Sequence, residues 1–174
     1  TNGGGFFGPN SAHPFENPNY FTNVVETVSI SLIPIAMIFA LGYVLKRKKL
    51  ANVIFGVMTA GFLLLCIPSI MNEMQGNKAI ENMGIAQNMG SMEGKEVRFG
   101  SAASAYWAIT TTTTSNGSVN SMHDSMTPLT GMYALLGMTV NSLFGGVGVG
   151  FLNFYILIIL AVFINKLMVR NTPL

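Results

Sequence analysis

The 174 residues are 50% hydrophobic and 9% charged, whereas soluble domains carry about 25% charged residues, so this chain lacks the charge to coat a water-facing surface. A formal charge of +2 gives no footing for nucleic-acid binding. The single cysteine, Cys66, excludes an intrachain disulfide framework and a cysteine-rich metal site.

The chain opens on Thr1-Asn2-Gly3-Gly4-Gly5, a loop that reads as the middle of something larger. A fragment of a longer protein is therefore expected, with no signal peptide of its own. The first long apolar run covers residues 24–45, with Glu26 near its start and Pro34 inside it, where a kink is expected. A bilayer core of about 30 Å takes roughly 20 apolar residues in a helix. Residues 24–45 meet that length. Residues 50–71 meet it too, with no charge and no polar face at helical spacing. Cys66 lies within this second run and reads as packed or lipid-facing. Between the two runs stands Lys46-Arg47-Lys48-Lys49. Basic residues concentrate in short cytoplasmic loops, which puts this turn inside and the polar stretch 72–100 outside.

Residues 102–112 follow, long enough for a helix of about 16 Å, or half a membrane. The run Thr110 to Thr114 is expected to help end it, since threonine is a poor helix former. Ser115-Asn116-Gly117 then supplies a tight return. Half-helix, polar return and renewed exit together describe a re-entrant pore loop, with the helix over 102–112 and a filter over 113–118 that begins at Thr113. Residues 128–169 read as one interrupted crossing, because Lys166 and Arg170 at its end belong inside. Its middle, residues 144–150, is too rich in glycine to stay helical, at about 1 kcal/mol per glycine relative to alanine. Non-helical backbone at membrane depth persists only inside protein or beside a water-filled cavity.

The chemistry of such a loop suits potassium. Successive backbone carbonyls replace the hydration shell of a dehydrated K⁺ without fixed charge. Glycine lets those carbonyls point inward, and the C-terminal end of a half-helix adds partial negative charge. No Asp or Glu lies between Thr110 and Met122. The loop also has a partner: Asn2-Gly3, then Asn10-Ser11-Ala12-His13, recurs in order as Asn116-Gly117, then Asn120-Ser121-Met122-His123. Two copies of one unit cannot close a pore. A fourfold arrangement is expected, with two further copies outside this chain. His13 and His123 hold equivalent positions. Two histidines are too few for a transition-metal site, so they are assigned, with Asp124, to support of the filter. Glu16 and Asp124 are alternatively placed to attract cations. A nucleophile pair of His123 with Ser121 or Ser125 lacks an orienting group.

TNGGGFF, NSAHPFENP, TTTTTSNGSVNSMHDS and FGGVGVG, in this order, resemble the potassium-binding subunits of bacterial Kdp potassium-transporting ATPases. The resemblance covers essentially the whole chain. It implies an all-α membrane protein built from channel-like repeats of span, pore loop and span. Residues 1–49 would then end the second repeat, and residues 50–174 would form the third. It implies K⁺-binding filters at Thr1, Asn2, Gly3 and Gly4 and at Thr114, Ser115, Asn116 and Gly117. It implies a gate in the broken helix at Gly145, Gly146, Gly148 and Gly150. K⁺ is the implied cargo, with no organic cofactor. A P-type ATPase subunit and small accessory membrane subunits are the implied partners, in the bacterial inner membrane. The chain has no Gly-x₄-Gly-Lys-Ser/Thr loop, and Asp124 is its sole aspartate, so ATP hydrolysis is expected on the partner. The competing readings are a gradient-driven channel or symporter subunit, a non-conducting membrane scaffold, and a membrane-embedded hydrolase.

Overall fold

The computed structural model describes residues 3–8, 10–141, 143–144 and 149–171. Thr1, Asn2, Gly145, Gly146 and Gly148 of the expected filter and gate lie outside the described residues. Among those described, the chain is all-helical, with no β-strand beyond an isolated bridge between Gly5 and Gly8.

Helix α1 (Tyr20–Val44) starts at a reciprocal cap. The Asn19 side chain accepts from Thr22 N at 3.0 Å, and Asn19 N donates to Thr22 Oγ1 at 3.2 Å, which satisfies two donors at the helix start. It runs on through Pro34. A short turn, with Lys46 in the left-handed region at φ 54°, leads into α2 (Lys48–Gln75). The two helices form a hairpin that closes tightly at its basic end, where a Cβ on Gly42 would lie 2.5 Å from the Cβ of Ala51. Both helices are long and apolar enough to cross a membrane. Their apolar side chains are widely exposed, Val24, Val28, Leu32, Val53, Val57 and Leu64 among them. Apolar surface on this scale suits a lipid environment.

A one-turn helix α3 (Lys78–Glu81) and a series of glycine-bearing turns lead to α4 (Gly100–Thr113). Helix α4 is the buried centre of the fold, packed against α2, α5 and α1. Ala105, Trp107, Ala108 and Ile109 are fully buried. The small residues of Gly100-Ser101-Ala102-Ala103-Ser104-Ala105 permit close backbone approach, as at membrane helix interfaces. At 14 residues α4 is about 21 Å long, longer than the sequence suggests. It ends inside the threonine run, one residue beyond Thr112. Thr110, Thr112 and Thr113 each send a hydroxyl back to the carbonyl four residues earlier, at 2.7–2.8 Å. That back-bonding satisfies the hydroxyls inside the protein, and packing overrides a weak propensity. Thr113 is thus the last helical residue, fully buried, and does not begin the extended turn.

A 3-10 turn (His123–Ser125) precedes α5 (Pro128–Val140), which begins with proline where a missing N–H costs nothing. α5 ends at Asn141, in the left-handed region at φ 40°. Helix resumes as α6 (Val149–Asn171). Helix is therefore left at Asn141, before residue 144, and Val149 and Gly150 already belong to α6. Leu143 and Phe144 fold back onto α2: a Cβ on Gly61 would lie 2.7 Å from Leu143 Cδ2, and Phe144 packs with Ile38, Ala51, Phe55 and Phe62. Cys66 is buried with Ile109 and Ala134 in a second cluster. The described side chains of α6 are exposed, apart from a half-buried Ile158.

Candidate functional site

The site begins where α4 stops. Thr114 caps the helix, its N–H donating to Thr110 O, and Asn116 N closes the next turn on Thr111 O at 3.1 Å. Ser115 at φ 54° and Gly117 at φ 84° then reverse the chain. Such angles are easy for glycine and costly for serine. The reversal is held from within by Asn116 Oδ1, which accepts from Ser118 N at 3.1 Å. Trp107 Nε1 holds it from the helix, donating to Ser118 O at 2.9 Å. From α5, Ser115 Oγ is joined to Asn141 Oδ1. The C-terminal end of α4 faces this turn, so its unpaired carbonyl ends present partial negative charge there.

The N-terminal segment lies alongside. Gly3, at φ 87°, approaches Gly117 so closely that a Cβ on it would stand 3.0 Å from the Gly117 carbonyl oxygen. Gly3 and Gly117 are thereby neighbours in space. Beyond them Ser11 N donates to Val119 O at 2.7 Å. A buried amide cluster continues the seam. Asn23 Oδ1 accepts from Asn120 Nδ2 at 2.9 Å and from Asn17 Nδ2 at 3.3 Å, while Asn17 Oδ1 accepts from Thr22 Oγ1 at 2.7 Å. Most buried polar groups are paired in this way, although Asn120 Oδ1 has no partner among the described residues.

A cavity of about 390 Å³ opens on this seam, lined by Gly5, Ser11, Glu16, Glu26, Asn116 and Ser118 with three larger side chains. Glu16 comes from the segment before α1 and Glu26 from α1 itself. The stretch from Thr110 to Met122 holds no carboxylate, but these two elements each bring one to its side. Such charges favour cations near the backbone carbonyls.

The supporting residues fall out differently from one another. His13 accepts from Phe15 N at 3.2 Å through Nδ1 and stacks on Phe7 with ring centroids 4.2 Å apart. Its bonds brace the turn after Gly5, not the turn at Ser115 to Gly117. His123 has Nε2 buried with no hydrogen-bond partner among the described residues, and burial pushes its imidazole below the ordinary value. Asp124 is exposed. Neither His123 Nε2 nor Asp124 makes a described hydrogen bond to the turn. Cys66 is packed, and its isolation in an apolar cluster leaves it no catalytic partner. Sequence reasoning missed Trp107, Asn141, Arg98 and the place of Glu26. The one available signal was chemical: a lone Trp, Arg or Glu amid apolar or small neighbours generally needs a polar partner.

The family of potassium-transporting ATPase A subunits matches residues 1–174. A potassium-transporting ATPase potassium-binding subunit from Flavobacterium johnsoniae is 65% identical over 99% of this chain and 30% of its own length. The subunit of the same name from Parabacteroides distasonis is 59% identical over the same shares. That from Pseudomonas fluorescens is 48% identical over 99% of this chain and 31% of its own. The chain thus spans about 30% of the length of these relatives. With the whole chain matched, it belongs to the family of potassium-transporting ATPase A subunits.

Proposed function

We propose that this chain is the middle part of the potassium-binding and translocating subunit of an ATP-driven K⁺ pump in the bacterial cytoplasmic membrane. In this reading α1 closes the second of four pore repeats, and α2, α4, α5 and α6 make up the third. Lys46 to Lys49 face the cytoplasm, and residues 76–99 lie outside. Backbone carbonyls of Thr1 to Gly4 and of Thr114 to Gly117 take part in binding dehydrated K⁺. The glycines at 145, 146 and 148 provide a gate in the interrupted helix below. ATP is hydrolysed by a P-type partner subunit, with small accessory membrane subunits completing the complex.

The observation that carries the reading is the contact of Gly3 with the Gly117 carbonyl, just beyond the C-terminal end of a buried short helix. Glycines of two equivalent segments held side by side are what quarter-walls of a carbonyl-lined pore require. A gradient-driven channel or symporter would have the same pore. The relatives' names, all of an ATPase complex, favour the pump. The test is K⁺- and Rb⁺-stimulated ATPase activity of the intact complex bearing Gly117→Ala. Weaker K⁺ affinity with relaxed discrimination is expected. Unchanged affinity and selectivity in an assembled complex would make the turn a mere connector.

A further inference from the structure

The segment before α4 contacts both post-turn segments through neighbouring cations. Arg98 reaches the N-terminal unit, Nε donating to Asn17 O at 3.1 Å and Nη2 to Ala12 O, while Nη1 pairs with Glu96 at 2.6 Å. Lys95 reaches the other way. Its ammonium lies 2.8 Å from Glu73 Oε2, and both side chains are fully buried. The other Glu73 oxygen accepts from Thr127 N at 2.7 Å and Thr127 Oγ1 at 2.8 Å, at the start of α5. Between the two cations and the turn, Gly94 O accepts from Met122 N at 2.8 Å. Gly94 also sits so close that a Cβ on it would fall 2.7 Å from Ser125 Cβ.

We infer that residues 94–98 form a strap whose two cations fix the distance between the two filter turns, and that Arg98 and the Lys95–Glu73 pair are positioning residues for ion selectivity. The inference rests on the pump reading above. Arg98 holds the segment after Gly3–Gly4 by its backbone carbonyls, and Lys95 holds the segment after Gly117 through Glu73 and the α5 N-terminus. The planar guanidinium fork suits a two-carbonyl grip that a lysine cannot reproduce. A buried ion pair is weak evidence for stability as such, since apolar replacement is often neutral or stabilising. Its placement at the junction of strap, α2 and α5 accords with a geometric role. α5 in turn carries Asn141, joined to Ser115, so both ends of α5 are tied to the path from strap to filter. Carbonyl cages discriminate between ions of similar charge by the number and spacing of their oxygens. A strap that sets spacing therefore sets preference between K⁺ and the larger Rb⁺.

The test uses the intact complex, with ATPase activity titrated separately with K⁺ and Rb⁺. The variants are Arg98→Gln, Arg98→Lys, the pair replacement Glu73→Gln with Lys95→Met, and Gly117→Ala as the filter control. Expected are a maximal K⁺-stimulated rate that is largely kept and a ratio of apparent K⁺ to Rb⁺ affinities compressed about tenfold for Arg98→Gln, which is about 1.4 kcal/mol of discrimination. Arg98→Lys should fall between this and wild type, and the pair replacement should compress the ratio as well. A ratio unmoved by the strap variants, with Gly117→Ala moving it, overturns the strap and leaves the filter standing. A ratio unmoved by Gly117→Ala as well overturns both. Should Arg98→Gln not assemble, Arg98→Lys and the pair replacement carry the test. Failure of every strap variant to assemble would mark the strap as purely structural and overturn the inference.

Discussion

Trp107 donates from its indole nitrogen to the Ser118 carbonyl at 2.9 Å, fastening the buried helix α4 to the far side of the turn that the same helix feeds. Helix and turn are therefore one mechanical unit. Trp107→Phe keeps an aromatic ring but removes the donor, leaving the carbonyl of a buried residue without its partner. A loss of about 1–3 kcal/mol is expected. Thermal denaturation of the detergent-solubilised complex should show a lower Tm, together with weaker apparent K⁺ affinity. A variant that melts like wild type with unaltered affinity would mean the bond positions nothing.

Gly3 combines a left-handed φ of 87° with contact to the Gly117 carbonyl. Gly3→Ala therefore meets both a backbone strain of about 1–2 kcal/mol and a steric clash. The alanine should push the two turns apart and reduce apparent K⁺ affinity several-fold. Gly4→Ala keeps the same carbonyl and should have the smaller effect, because a Cβ there meets nothing within 4 Å. Equal effects at the two positions would contradict the proposed register.

Glu73→Gln alone leaves the Lys95 ammonium buried without its counter-charge. Breaking one side of such a pair costs about 3–5 kcal/mol, whereas replacing both partners is often neutral. The single variant should assemble poorly and melt early. Adding Lys95→Met should recover most of the loss. A double variant no better than the single would refute a charge-pair origin for the defect.

At the opposite end of the hairpin, Gly42→Ala would insert a methyl group 2.5 Å from the Ala51 Cβ. Overpacking of this kind typically costs about 1–3 kcal/mol. A lower Tm is expected with no change in K⁺ to Rb⁺ preference, because the contact lies beside the basic turn and away from the filter. A changed preference would show that the hairpin end communicates with the filter.

His123 is held below its ordinary pKa by burial. The unfolded chain takes up a proton near pH 6.5, while the native imidazole does so only at lower pH. The unfolded state thus binds more protons in that interval, and stability falls as pH falls. The contribution is fully present above about pH 6.5 and is lost on acidification towards the folded value. Comparing Tm between pH 8 and pH 5 for wild type and His123→Gln checks this. The variant should lose less stability on acidification, and parallel curves would exclude His123 as the titrating group.

Composition and pattern sufficed for the coarse architecture. Residues 24–45 are apolar but for a few positions near their start, and residues 50–71 show no polar face, which suits a membrane or a larger protein interior. They emerge as α1 and α2 with ends shifted by a few residues. Pro128 marked the start of α5 through local backbone energetics, whereas α5 stops at Asn141, ahead of the glycines of residues 144–150. The four contiguous cations marked the turn between the two long helices.

What lay beyond the sequence was every relationship between segments far apart along it. The helix expected over 102–112 runs over Gly100–Thr113, its last turn buried against α2 and α5, with the hydroxyls of Thr110, Thr112 and Thr113 bonded back to the helix. Glu26 read as a lone charge in an apolar run, and only the fold brings it to the cavity beside Asn116 and Ser118. Lys95 and Arg98 read as members of a near-neutral loop, and only packing turns one towards Glu73 and the other towards Asn17. A hydrogen bond or ion pair depends on distance and angle between atoms, and those are set by how the helices pack. The sequence by itself determined which segments are helices suited to a membrane and where the chain must turn. The tertiary structure decided which turns meet, because carbonyls, amides and charges acquire partners only once the apolar helices have fixed them in place.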